Sequence, residues 1–108
     1  MYTLKISPRT GKKWRITTPD GKNIDFGALN YSDFTLHKDE NRKQNYIARH
    51  STNEDWTENG IDTAGFWSRW LLWNLPSLRA SARDIEKRFS IQIDMSKIFN
   101  NSDGSPLN

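Results

Sequence analysis

The chain has 108 residues, a mass of 12.6 kDa and a net charge of +3. That length suits one domain, and the lack of cysteine excludes disulfides and thiolate metal sites. Only 34% of the residues are hydrophobic, so the 5 Trp, 5 Phe and 3 Tyr must supply much of any core.

Charge is unevenly placed. Residues 1–50 hold ten Lys/Arg against five Asp/Glu, a net of +5, whereas residues 51–108 hold six against eight, a net of −2. A basic half of this kind suits an anionic partner. No apolar run approaches the ~18 residues of a membrane span, and "MYTLKISPRTGKKW" lacks the apolar centre of a signal peptide. The expectation is a soluble protein inside the cell, neither secreted nor membrane-bound.

The first elements are strands. Tyr2, Leu4 and Ile6 alternate with polar residues, as do Trp14 and Ile16, then Ile24 and Phe26. Pro8 and Gly11 frame one turn and "TPDGK" (18–22) a second. This predicts a three-stranded antiparallel meander whose inner face carries Leu4, Ile6, Trp14, Ile16, Ile24 and Phe26. The first turn, "PRTGKKWR" (8–15), is the densest basic stretch. Its Arg9, Lys12, Lys13 and Arg15 are candidate nucleic-acid contacts, or guards of an exposed strand edge.

Residues 39–50, "DENRKQNYIARH", read as a helix capped by Asp39, acidic at its start and basic at its end. Only Tyr46, Ile47 and Ala48 are apolar, so it should dock by one short edge. Lys38, Arg42, Lys43 and Arg49 on its solvent side are further candidate phosphate ligands. Asp33 and His37 stand four residues apart, but no third metal ligand accompanies them. The adjacent His, Lys and Asp at 37–39 cannot act as the separated His, Lys and Asp of the phospholipase D signature do.

After a loop (51–60) pinned by Trp56, "GFWSRWLLWN" (65–74) concentrates three tryptophans. At 100° per residue, Phe66, Trp67, Trp70, Leu71 and Trp73 share one arc of a helix started by Asp62 or Thr63. An apolar arc of this kind is a core face, and Trp70 stands near its middle. Arg69 and Leu72 fall outside it and are candidates for a partner interface. Pro76 ends the helix, and Ser77 caps a third helix with Leu78, Ala82, Ile85 and Phe89 on one stripe. Ile91, Ile93 and Met95 predict a last strand joining the meander. The organisation expected is therefore a single α+β domain over residues 1–96, with a polar tail over 97–108.

No catalytic constellation is present: no phosphate-binding Gly-rich loop, no HExxH, no GxSxG and no cysteine nucleophile. No cofactor and no metal ion are expected.

Three segments, "DFGALNYSDFTLHKDENRKQNYIARH", "GIDTAGFWSRWLLWNLPSL" and "DIEKRF", resemble a family of small uncharacterised proteins of nucleocytoplasmic large DNA viruses, the giant viruses of algae and protists. Family members carry a second glycine where this chain has Asn30, which also tolerates a left-handed turn. The resemblance implies no activity or cofactor. It implies a setting, the virion or the viral factory of an infected cell. Together with the charge pattern, the leading expectation is a non-enzymatic protein binding nucleic acid. The alternatives are a minor capsid or cement protein binding other virion proteins and, more weakly, a metal-dependent nuclease using His37, His50 and nearby acids.

Overall fold

In the computed structural model, which describes residues 1–99, the architecture is α+β. Strands β1 (Tyr2–Ile6), β2 (Lys12–Thr17) and β3 (Asn23–Ala28) form the antiparallel meander, and β4 (Ile93–Asp94) returns beside β1 in parallel. The sheet order is β3-β2-β1-β4. Four helices follow the meander: α1 (Phe34–His37), α2 (Glu40–His50), α3 (Ala64–Trp67) and α4 (Leu78–Phe89).

The strand registers place Leu4 opposite Ile16, Ile6 opposite Trp14, Trp14 opposite Phe26 and Ile16 opposite Ile24. All six predicted residues therefore share a sheet face, because alternate side chains point the same way. Leu4, Ile16, Ile24 and Phe26 are buried. Ile6, expected with them, is 68% exposed. It lies at the end of β1, away from its pairing with β4 through Tyr2 and Thr3. The last strand is also shorter than the alternation of Ile91, Ile93 and Met95 suggests: two residues pair, and Ile91 and Met95 pack beside them. Beyond it, Ile98 is buried and Phe99 rests on the core, so the packed chain runs past the residue 96 boundary that the sequence suggests. Residues 100–108 of that tail lie outside the described residues.

The opposite sheet face is polar. Its centre is Asp25, which receives two hydrogen bonds from Arg15 (Nε to Oδ1 2.9 Å, Nη2 to Oδ2 3.0 Å) and one from the Ser7 hydroxyl at 2.7 Å. The Arg15 bonds, with help from Ser7 and against a smaller effect of burial, hold the Asp25 carboxyl down from 3.8 to about 2.

The tryptophan segment departs from an α-helix. Thr63, one of the two caps the sequence offers, caps α3 by accepting the Phe66 N–H. After one turn the chain widens into a π-helical stretch, Ser68–Leu72, and the Trp73 N–H bonds the Ser68 carbonyl five residues back at 3.1 Å. The buried residues are then Phe66, Trp67, Leu71 and Leu72, two pairs five positions apart. This is the repeat that an i→i+5 turn produces, since each residue advances by less than 100°. Leu72, expected at a partner interface, is thereby rotated into the core at 2% exposure. It meets the backbone of β3 at Gly27: a Cβ there would stand 2.8 Å from Leu72 Cδ1, and Gly27 has φ +79°. Trp67, not Trp70, is the fully enclosed indole.

Trp70 and Trp73 are half-buried on the flanks of this segment. The Trp70 indole N–H donates to the Trp56 carbonyl at 2.9 Å, and the Trp67 indole to the Ile61 carbonyl at 2.7 Å, so both fasten the 51–63 loop. Arg69, also expected at an interface, folds back. Its guanidinium lies over Trp70 (4.5 Å) and Trp56 (5.5 Å) and donates to the Trp73 carbonyl at 2.6 Å. Burial lowers its pKa. Ser77 caps α4 through the Ala80 N–H. The α4 stripe buries Ala82 and Ile85, with Leu78 and Phe89 packed at its ends.

Two expectations follow. Trp67→Ala should cost about 3–5 kcal/mol and Trp70→Ala distinctly less, while Arg69→Ala should cost about 2–3 kcal/mol because it removes a desolvated cation–π contact and a charged hydrogen bond. Urea titrations of the three variants measure this ranking. Acid melts test the sheet: because the Asp25 pKa is depressed on folding, its contribution is complete above pH 3.8 and is lost as pH falls toward about 2. Asp25→Asn should lower stability at neutral pH and flatten the stability profile across that acid window.

Candidate nucleic-acid interface

Between the β2–β3 end of the sheet and α2 lies a cleft of about 820 Å³. The sequence positions its walls locally. Asp39 caps α2 by accepting the Asn41 and Arg42 N–H groups, with Glu40 in the first turn and Arg49 and His50 in the last. Lys38, at φ +56°, turns the chain between α1 and α2 and donates its ammonium to the Thr35 carbonyl at 3.0 Å. Of the eleven residues of α2 only Tyr46 is buried. Its ring stacks on Trp73 with centroids 4.5 Å apart and planes 3° from parallel. His50 packs on Tyr46 at 4.4 Å, and Trp56 lies beyond at 6.2 Å. Burial, reinforced by Glu54, raises the Tyr46 pKa strongly, so it stays a neutral phenol.

Four of the eight sequence-predicted phosphate ligands line this cleft: Lys12, Lys13, Arg42 and Arg49. The other four do not. Arg15 is committed to Asp25 on the far sheet face. Arg9 is exposed in the β1–β2 turn, its N–H bonded to the Ser7 hydroxyl. Lys38 bonds α1, and Lys43 lies over the Phe34 ring at 4.8 Å, 3.8 Å from Glu40.

Within the cleft the cations divide further. Lys13 pairs with Asp33 at 2.5 Å, and both side chains are nearly inaccessible (12% and 3%). Asp33 also caps α1 through the Thr35 N–H and accepts the Thr35 hydroxyl, so its carboxylate is fully engaged. Glu54 accepts the Trp56 indole N–H at 2.8 Å and sits 3.4 Å from His50. It rests against the start of α3 at Gly65, where a Cβ would come within 2.8 Å of its carboxyl carbon. Among the described residues Lys12, Arg42 and Arg49 have no carboxylate partner within 4 Å.

The histidines are placed structurally. His37 Nδ1 accepts the Asp39 N–H at 2.9 Å, which leaves the proton on Nε2; its ring packs on Phe34 and Trp73. Asp33, four residues before His37, is held by Lys13. Among the described residues no three His, Asp or Glu side chains are grouped as metal ligands would be. No helix is long and apolar enough to cross a membrane, again among the described residues.

Sequence reasoning did not single out Tyr31. It lines the cleft and is 74% exposed, between Leu29 at 60% and Leu36 at 63%. Its signal in the sequence was only its place in the turn after β3.

The model of a family of unknown function, DUF5754, matches residues 2–50. That stretch contains β1–β3, α1 and α2, hence the elements that carry Lys12, Arg42 and Arg49. No curated protein matches the chain, and no solved structure does.

Lys13 belongs to the scaffold of the cleft. Lys13→Met leaves Asp33 charged and buried, so it should cost about 3–5 kcal/mol in a urea titration, and adding Asp33→Asn should restore part of that loss by removing the uncompensated charge.

Proposed function

We propose that the protein binds nucleic acid without sequence preference and without catalysis, through the cleft between β2 and α2. One observation carries this reading: Lys12 from the sheet and Arg42 and Arg49 from α2 border one cleft, and none has a carboxylate partner among the described residues. Lys13 and Arg15, which stabilise the fold, are paired with carboxylates. Cations without partners attract anions, and phosphates release counterions when they are neutralised. Arg42 and Arg49 are seven residues apart, so they lie on one side of α2 about 10 Å apart along its axis. That spacing suits two contacts along a phosphate backbone. The excess of basic residues in 1–50 supports the same reading. The resemblance to proteins of large DNA viruses supports a setting in the virion or viral factory.

A second reading has its own observation. Leu29, Tyr31 and Leu36 expose apolar surface within eight residues, which favours docking to another virion protein such as a capsid component. On this reading the contact runs through residues 29–36. The burial of Phe66, Trp67, Leu71 and Leu72 favours residues 29–36 over the 65–75 segment as that contact.

The test is a titration of labelled oligonucleotide at several salt concentrations. Binding should weaken steeply with salt. Lys12→Ala, Arg42→Ala and Arg49→Ala should each weaken it and reduce the slope of log K against log salt by about 0.7–0.9. All three should keep the wild-type melting temperature. Absence of binding at low salt overturns this function and favours the protein-docking reading, in which crosslinks to shell proteins should map to 29–36.

A further inference from the structure

Resting on the nucleic-acid reading of the cleft, we infer that its ligand is a single strand, and that Tyr31 is the platform on which one of its bases stacks. The aromatic rings around the cleft are not equivalent. Phe26 is fully buried. Trp73 is in ring contact with Tyr46 and His37, and Tyr46 with Trp73, His50 and Trp56. Those faces are already covered. Tyr31 lines the same cleft, is 74% exposed, and touches no other ring among the described residues.

The Tyr31 backbone is held in place. Its N–H donates to the Ala28 carbonyl at 3.2 Å, closing the turn after β3. The neighbouring Leu29 N–H donates to the Gly11 carbonyl at 2.9 Å, tying that turn to the basic β1–β2 turn that precedes Lys12. A ring on an anchored turn loses little freedom when a base stacks on it, which favours binding.

The shape of the site selects the strand. A cleft of about 820 Å³ is the size of a small-molecule pocket. It admits a nucleotide or two whose bases are turned outward. A duplex keeps its bases stacked inside and presents phosphates on a convex surface, so it meets only the rim. A free aromatic face beside unpaired cations is the combination that binds single strands, because every base offers a π-face to stack and every nucleotide a phosphate to neutralise.

The experiment compares a fluorescent oligo-dT with a duplex of the same length at low salt, using the full chain, Tyr31→Ala and Tyr31→Trp. The single strand should bind more tightly than the duplex. Tyr31→Ala should weaken single-strand binding by about 5- to 150-fold, the value of one lost base stack. It should leave the salt slope and the melting temperature unchanged, since the ring is exposed and carries no charge. Tyr31→Trp should bind as well as the wild type or better. Equal affinity for duplex and single strand overturns the inference, as does wild-type affinity in Tyr31→Ala while Arg42→Ala and Arg49→Ala lose theirs; in both cases the nucleic-acid reading stands. If neither strand form binds the wild-type protein, the nucleic-acid reading itself fails.

Discussion

The stack of Tyr46 on Trp73 ties α2 to the rest of the molecule. An eleven-residue helix with a single buried side chain has little else to dock it, and the two rings meet at 4.5 Å, almost parallel. Trp73 can be there because the chain before it widens into a π-turn. That turn sends Leu71 and Leu72 into the core behind Phe66 and Trp67, and leaves Trp70 and Trp73 on the flanks. One flank fastens the 51–63 loop through the Trp56 carbonyl; the other fastens α2. The cleft is the space between β2 and a helix held off the sheet by this stack.

Charge is sorted by the same geometry. Arg15 and Lys13 sit close in sequence, on one strand, yet serve two different carboxylates, Asp25 on the polar sheet face and Asp33 at the start of α1. Both are structural ion pairs shielded from water, where removing one partner costs more than the pair contributes. Arg69 is structural in another way, as a cation clamped between indoles and a carbonyl. What remains at the cleft is Lys12, Arg42 and Arg49, and it is these that a phosphate-bearing ligand can reach.

A net charge of +3 says little by itself, because many proteins of that charge bind nothing anionic. Setting aside the cations that pair with carboxylates leaves Lys12, Arg42 and Arg49 around one cleft, and setting aside its aromatics whose faces are covered leaves Tyr31. The rings of the tryptophan-rich segment form the core and the joints, and the exposed ring of the cleft lies elsewhere, at Tyr31.

Local rules were enough to read the meander, its two turns, the Asp39 and Ser77 caps and the α4 stripe from the sequence, and to narrow the α3 cap to Asp62 or Thr63. Each depends on residues a few positions apart, where alternation, turn chemistry and capping act. The basic character of the N-terminal half was equally legible. The tertiary structure alone decided the rest. Assuming 100° per residue put Leu72 and Arg69 on the outside and Trp70 at the centre; a π-turn, stabilised by packing against β3 at Gly27 and α4, reversed all three. Nor could the sequence say which of eight cations were free, because Lys13 meets Asp33 and Arg15 meets Asp25 only after the strands pair and the chain turns back. Ion pairs between residues ten or twenty positions apart have no local signature, and the same holds for the exposure of Tyr31, which depends on how the turn after β3 is tied to the β1–β2 turn.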